Sequence, residues 1–227
     1  MSTNVKERLD FSCAILNGSG ELVVNAPHIP VHLGALGECV RRCVAAQPLK
    51  EGDVLITNHP AFGGSHLPDV TVIAPLVIDG ATIAYCAARA HHSEIGGISP
   101  GSMPAAATRL SQEGVVISPM LLMDAGRPRY DALRLLLENA PFPTRSVDDN
   151  LADVHAQVAA VRSGLTSIDA LCTDHGADVV IAQLNVITSQ TGNVIANRLR
   201  SLPDARSHAV EIMDDGTRIE VSLEKLS

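Results

Sequence analysis

Tryptophan is absent from this chain, whose 227 residues include only three phenylalanines and two tyrosines. A core of that composition must be built from Ala, Val, Ile and Leu. It also leaves too few rings for a base-stacking surface, which argues against single-stranded nucleic acid as a ligand. Positive charge is scarce too: 17 Lys and Arg stand against 25 Asp and Glu, a formal net charge of −8. A phosphate-backbone binder needs the opposite balance, gathered in patches. The N-terminus lacks a signal-type apolar run, and no segment approaches the roughly 20 apolar residues of a membrane span. A soluble, cytoplasmic protein is expected. Walker-type phosphate loops and dinucleotide fingerprints are missing, and Ser65, Ser93 and Ser102 lack a nucleophile elbow. Cysteine is present in odd number, as Cys13, Cys39, Cys43, Cys86 and Cys172. Cys39 and Cys43 sit four apart in a helical stretch with no second pair to complete a zinc site, so buried, reduced thiols are expected.

Apolar residues make up 46% of the chain, enough to bury a sizeable core. Strands at 11–16 and 21–25 flank the turn Asn17-Gly-Ser-Gly20, and the spacing over 31–47 predicts a helix ending before Pro48. Residues 53–57 read as a short strand. Strands at 70–78 and 81–88 flank Asp79-Gly80, the strongest hairpin dipeptide in the sequence. The stretch 94–119 is irregular and rich in Gly, Pro and Ser; a segment of that length inside a domain is usually functional. Residues 148–175 form the clearest helix, with an apolar seam at Leu151, Val154, Val158, Val161, Leu165, Ile168 and Leu171, suited to packing on another helix, and with Gly176 as its stop. A second helix over 176–200 and a closing hairpin around Asp214-Asp-Gly216 complete the pattern. Hairpins segregated from helices indicate an α+β fold of antiparallel hairpins with packed helices. It divides into a β-rich region at 1–145 that would carry a metal site and a helical region at 146–227 with the closing hairpin, read as one continuous domain.

The chemistry concentrates in Asn58-His-Pro-Ala-Phe-Gly-Gly-Ser-His66-Leu-Pro-Asp69 and Arg89-Ala-His91-His92. Pro68 rules out a helix interior, so His66 and Asp69 belong to a turn or strand entry. Gly63-Gly64 permits close backbone approach. The Asp79-Gly80 hairpin turns near mid-span and returns its far ends to one place. Antiparallel strands lie roughly 5 Å apart, so His66, Asp69 and one of His91 or His92 can converge. Adjacent residues on a strand face opposite sides, so at most one of these two histidines is a direct ligand. Two imidazoles and a carboxylate can hold one divalent cation with an open position, as hydrolytic or Lewis-acid chemistry requires. Asp10, read alone, is a surface ion-pair residue. Glu94 and Glu113 lie in or beside the irregular segment, and spacing selects neither as acid or base.

These residues resemble the hydantoinase B/oxoprolinase family, the metal-bearing subunit type of ATP-dependent lactam hydrolases and ketone carboxylases. The likeness continues through Asn4-Val-Lys-Glu-Arg-Leu-Asp10, Ala26-Pro-His-Ile-Pro-Val-His-Leu-Gly34, Ser93-Glu-Ile-Gly-Gly-Ile-Ser-Pro-Gly-Ser-Met-Pro104, Gln112-Glu-Gly-Val115 and Asn150-Leu-Ala-Asp-Val-His-Ala-Gln157. Asn58-His59-Pro60 is closer to the oxoprolinase branch. The resemblance implies zinc or manganese held by His66, Asp69 and His91, choosing His91 over His92, with Asp10 as a further ligand or just behind one. His92 or Glu94 would then handle substrate or protons. It also implies a hydantoinase A-like partner that uses ATP to phosphorylate an amide or enolate oxygen. Family subunits usually carry a leading helical segment and several hundred further residues, so a split or truncated member is expected, with another subunit supplying the C-terminal half. His155 stands where an Arg is usual. The expected activity is hydrolysis of a cyclic amide (hydantoin, oxoproline or lactam). Carboxylation of a ketone of the acetone or acetophenone type is the nearest alternative, and a non-catalytic assembly subunit with a structural metal is the alternative from another class.

Overall fold

The computed structural model describes residues 1–27, 32–203 and 205–225. Residues 28–31, inside the 26–34 motif and at the expected start of the first long helix, lie outside the described residues. Two compact units are found, Met1–Asn185 and Val186–Ser227.

In the first unit a short helix α1 (Thr3–Lys6) precedes β1 (Phe11–Asn17) and β2 (Leu22–Pro27); α2 (Leu33–Ala46), β3 (Val54–Thr57) and a 3-10 turn at Pro60–Phe62 follow. Then come β4 (Asp69–Ile78), β5 (Ala81–His91), a short helix α3 (Leu110–Glu113), β6 (Met120–Asp124) and β7 (Arg127–Pro128). Helices α4 (Tyr130–Asn139), α5 (Val147–His175) and the start of α6 (Ala177–Ser201) complete it. The seven strands form one antiparallel sheet in the order β2-β1-β5-β4-β3-β6-β7, giving the α+β architecture that the sequence pattern predicts.

Both faces of the sheet are covered, so the central strands read as nearly continuous apolar runs. Val70, Val72, Ala74, Ala84, Cys86 and Ala88 share a core with Leu151, Val154, Val158 and Val161 of α5. Ile73, Tyr85 and Ala87 share the other with Leu36, Cys39, Val40 and Cys43 of α2. The α5 seam therefore lies on β4 and β5 and only to a smaller extent on α4, whereas the sequence pattern predicts a helix as its main partner. The reason is the small side chains of β5, which let the helix approach: a Cβ added at Gly164 would stand 2.9 Å from Cys86 Sγ. Leu171, counted in the seam, is 48% exposed. The sequence pattern assigns no element to 120–139, yet β6, β7 and α4 form there. Ala125 and Gly126 supply the positive-φ turn between the strands, at 47° and 80°, while Leu133 and Leu137 bury the face of α4.

The β4–β5 hairpin decides where the site falls. Asp79 and Gly80 both have positive φ, 51° and 79°, as a two-residue hairpin turn of the I′ type needs. A bulge shifts the register between Leu76 and Val77, after which the pairing runs evenly to Asp69 opposite His91. Counted outward from the Ile78–Ala81 pair without that bulge, Asp69 would face Ala90, and His91 would point to the other side of the sheet. Pro75, which offers no N–H to the ladder, lies one residue from the irregularity.

The second unit holds the end of α6 and an antiparallel hairpin of β8 (Arg206–Ile212) and β9 (Arg218–Glu224), exposed at every strand position. Among the described residues no helix is long and apolar enough to cross a membrane.

Candidate metal centre

Asp69 opens β4 and His91 closes β5 directly across from it, so the ladder fixes two donors as neighbours on the α2 face. The third, His66, comes from the glycine-rich loop, which closes onto the strand through Asp69 N–H donating to His66 O at 3.0 Å. Three donor atoms then stand almost equidistant. His66 Nε2 is 3.0 Å from His91 Nδ1, and each lies 3.2 Å from Asp69 Oδ1. Four ligands at the roughly 2.0–2.1 Å of zinc–nitrogen or zinc–oxygen bonds form a tetrahedron with edges of about 3.3–3.4 Å, so the observed triangle is close to one face of it. The Asp69 side chain is 3% exposed, His91 18% and His66 36%, so the set is closed at the carboxylate and open on the His66 side.

The triangle is held together electrostatically. Burial alone would push the Asp69 carboxyl up, but hydrogen bonds from His32, His66 and His91, with the charge of His66, hold it well below the usual carboxylate range. His66 is raised, chiefly by its bond to Asp69; burial opposes this, and the charges of Asp69, Asp10 and Glu113 add to it. Among the described residues these three side chains form the one group of His, Cys, Asp and Glu whose donor atoms, one per residue, lie within 4.8 Å of one another.

Asp10 is adjacent but outside that group. Its carbonyl accepts from His91 N–H at 2.9 Å, and its negative charge acts on His66. His32, which residue spacing does not single out, belongs to the surroundings of the site. Fully buried just before α2, it places Nε2 3.5 Å from Asp69 Oδ1 and Nδ1 3.1 Å from Ser12 Oγ. The one signal in the sequence is its place in the 26–34 motif, thirty-odd residues from any donor.

His92 and Glu94 are not brought to the donor atoms. His92 is 1% exposed, with Nδ1 3.1 Å from Asn150 Nδ2 and Nε2 3.1 Å from Gln157 Oε1. Gln157 Nε2 donates to Val70 O at 2.8 Å and to Ala88 O at 3.0 Å, so His92 and the two strands are tied to α5. Glu94 bonds to Thr144 Oγ1, to the Gly96 and Arg145 N–H groups and to the Arg145 guanidinium. Burial would raise its carboxyl, but these bonds outweigh it and lower the pKa.

The His92 environment has a pH consequence. Burial lowers the ring's pKa below its ordinary 6.5, more strongly than the Asp153 charge and the Gln157 bond raise it. Below pH 6.5 the unfolded chain therefore binds a proton that the folded chain refuses, and stability falls with pH by up to about 1.4 kcal/mol per unit. His66 acts in the opposite sense and in another window: its raised folded pKa adds stability as pH falls toward 6.5 from above. Denaturant titrations of chelator-treated protein are expected to show declining stability below pH 6.5, with a shallower decline in His92→Gln. Equal slopes in the two proteins would contradict the assignment.

An α+β protein with a seven-stranded antiparallel sheet carries, at the open end of its central hairpin, a His-Asp-His donor set of a kind that could hold a metal ion. The sequence profile of the Hydantoinase B/oxoprolinase family matches residues 1–226, and the chain belongs to that family. It is 39% identical to 5-oxoprolinase 1 of Arabidopsis thaliana over 98% of this chain and 20% of that protein. The ATP-dependent caprolactamase of Pseudomonas jessenii superposes with a TM-score of 0.84 at 26% identity, over 95% of this chain and 38% of that one. The nucleotide-free structure of an acetone carboxylase matches with a TM-score of 0.77 at 17% identity, over 92% of this chain and 28% of that one, a likeness of fold alone. The chain spans 18–20% of the length of the oxoprolinases and other long curated relatives it matches, and 35–36% of two shorter ones.

Proposed function

We propose that this chain is the metal-bearing part of an ATP-dependent enzyme that opens a cyclic amide of the hydantoin, oxoproline or lactam kind. His66, Asp69 and His91 would hold one zinc or manganese ion, since imidazole and carboxylate donors suit both. The observation that carries this reading is the donor triangle of 3.0–3.2 Å with its open side at His66. The relatives named 5-oxoprolinase and the ATP-dependent caprolactamase favour a cyclic amide over a ketone.

An unstrained amide is a poor electrophile. Phosphorylation of its oxygen by a hydantoinase A-like ATP-binding subunit would give an imidate phosphate whose carbon water can attack. The C–N bond then breaks with a proton to nitrogen to leave an acyl phosphate, whose hydrolysis releases phosphate and the ring-opened amino acid. An ion in the triangle would supply Lewis acidity for the attack by water. The chain's own residues do the rest. Asp69, kept ionised and buried, anchors the base of the site, while His66 stands at the rim where a small-molecule substrate enters. Asp10 contributes negative charge beside His66, and ligation by its carboxylate would complete the set. Since His92 and Glu94 are occupied by bonds to α5 and the 144–145 segment, we assign them the task of holding the end of β5 in place. A further proposed partner is the region corresponding to the rest of the relatives' length, whether on the same polypeptide or on another. Ile219, Val221 and Leu223, exposed along β9, offer it an apolar edge.

The test is turnover by the chain assembled with its ATP-binding partner. Release of ring-opened amino acid coupled to ATP cleavage is expected, with at least a hundredfold loss, to order of magnitude, in His66→Ala. Fixation of labelled bicarbonate instead would favour a ketone carboxylase. Full ATP-coupled turnover in His66→Ala would reduce the chain to an assembly role.

A further inference from the structure

Directly behind the donor triangle lies a buried guanidinium. Arg89 is fully buried, two residues before His91 on the same face of β5 and directly across from Thr71, itself two residues after Asp69. Its Nε donates to Thr71 Oγ1 at 2.8 Å and its Nη2 to Gly63 O at 2.9 Å, with Nη1 3.5 Å from Ser65 Oγ. Among the described residues no carboxylate pairs with it. Taking a guanidinium out of water is costly, and the side-chain hydrogen bonds it gains in return go to the donor-bearing hairpin and to the loop that carries His66. On α2 the neighbour is Cys39, whose thiol is lowered to about 7 by its bond to Cys43, against burial and with help from the Arg89 charge.

The three donors differ in how well they are held. Asp69 and His91 are fixed by the β4–β5 ladder, whereas His66 rides on a loop outside the sheet. That loop is pressed onto α2: Gly63 has φ +82°, and a Cβ added there would stand 2.7 Å from Cys39 Cα. Close packing fixes how near the loop comes but not how far it slides along the strands. A planar fork bonded at one end to Thr71 and at the other to Gly63 O restrains that sliding. We propose that Arg89 is a positioning residue for the donor triad, tying the 63–66 loop to β4 and β5 so that His66 Nε2 meets Asp69 and His91 at ligand spacing. The assignment rests on the metal-site reading given above.

The probe is Co²⁺, whose absorption bands report coordination geometry, added to the chelator-treated full chain. Wild type is expected to bind about one ion per chain. Arg89→Lys keeps the charge but not the two-pronged geometry, and Arg89→Met keeps bulk alone. Both are expected to bind Co²⁺ about 10–100-fold more weakly, with altered bands and wild-type far-ultraviolet circular dichroism. Thr71→Val, nearly isosteric and lacking only the hydroxyl, is expected to shift affinity and bands in the same direction by less. It keeps the proposal falsifiable if the Arg89 variants do not fold. Wild-type affinity and bands in a folded Arg89→Lys or in Thr71→Val would overturn the positioning role and leave the metal site standing. Absence of Co²⁺ binding by wild type would overturn the metal site itself, and the positioning role with it.

Discussion

Asp69→Asn is expected to strip the chain of its divalent ion while leaving the sheet folded. Asp69 Oδ1 is the common acceptor for three imidazole nitrogens, 3.2 Å from His66 and His91 and 3.5 Å from His32. An amide of the same shape leaves the packing of β4 undisturbed but removes the negative charge that draws those rings together and that a cation needs. The affinity for zinc or manganese is expected to fall by at least about a hundredfold, beyond the 10–100-fold typical of residues behind the ligands. His66→Ala and His91→Ala should match it. Elemental analysis after gel filtration, with chelator competition for the affinity, measures the effect. Glu94→Gln serves as the contrast and should keep its metal, since Glu94 is engaged with Thr144, Arg145 and Gly96. Stoichiometric metal in Asp69→Asn would end the case for this triad.

The hairpin was legible because Asp79-Gly80 carries its turn in its own residue types, and turn position dictates which strand ends meet. The choice between His91 and His92 was not legible from spacing. It depends on a single bulge between Leu76 and Val77, and one residue of slip exchanges the two faces of a strand. Resemblance to the family names His91, and the register supplies the physical reason for that choice. His32 stayed hidden for a different cause. No periodic relation links it to Asp69, and their 3.5 Å approach follows from how α2 docks on the sheet. The elements at 120–139 escaped because β6 and β7 are short and α4 buries only Leu133 and Leu137. The partner of the α5 seam was misread because periodicity identifies a buried face, not what covers it. The alanines of β5 make that cover a sheet.

Asn58→Asp is expected to be among the most destabilising isosteric changes in the chain. The Asn58 side chain, fully buried at the end of β3, makes three hydrogen bonds. Its Nδ2 donates to Leu67 O at 2.8 Å and to Val115 O at 2.9 Å, and its Oδ1 accepts from Ile117 N–H at 2.7 Å. A carboxylate in its place turns two donor contacts into oxygen facing carbonyl oxygen and leaves a charge buried without a partner. A loss of about 3–5 kcal/mol is expected at neutral pH, read from urea denaturation. The pH dependence identifies the cause. A carboxyl facing two carbonyls has a folded pKa above its unfolded value, so the penalty is full above that folded pKa. It shrinks as pH falls and the protonated acid regains one donor. The same change should weaken metal binding, because Leu67 follows His66 directly and its carbonyl is one of the two that Asn58 holds. An unchanged denaturation midpoint at neutral pH would mean that the 58–69 segment keeps its shape without this amide. The loop's hold on His66 would then fall to Arg89 and to the packing of Gly63 on α2.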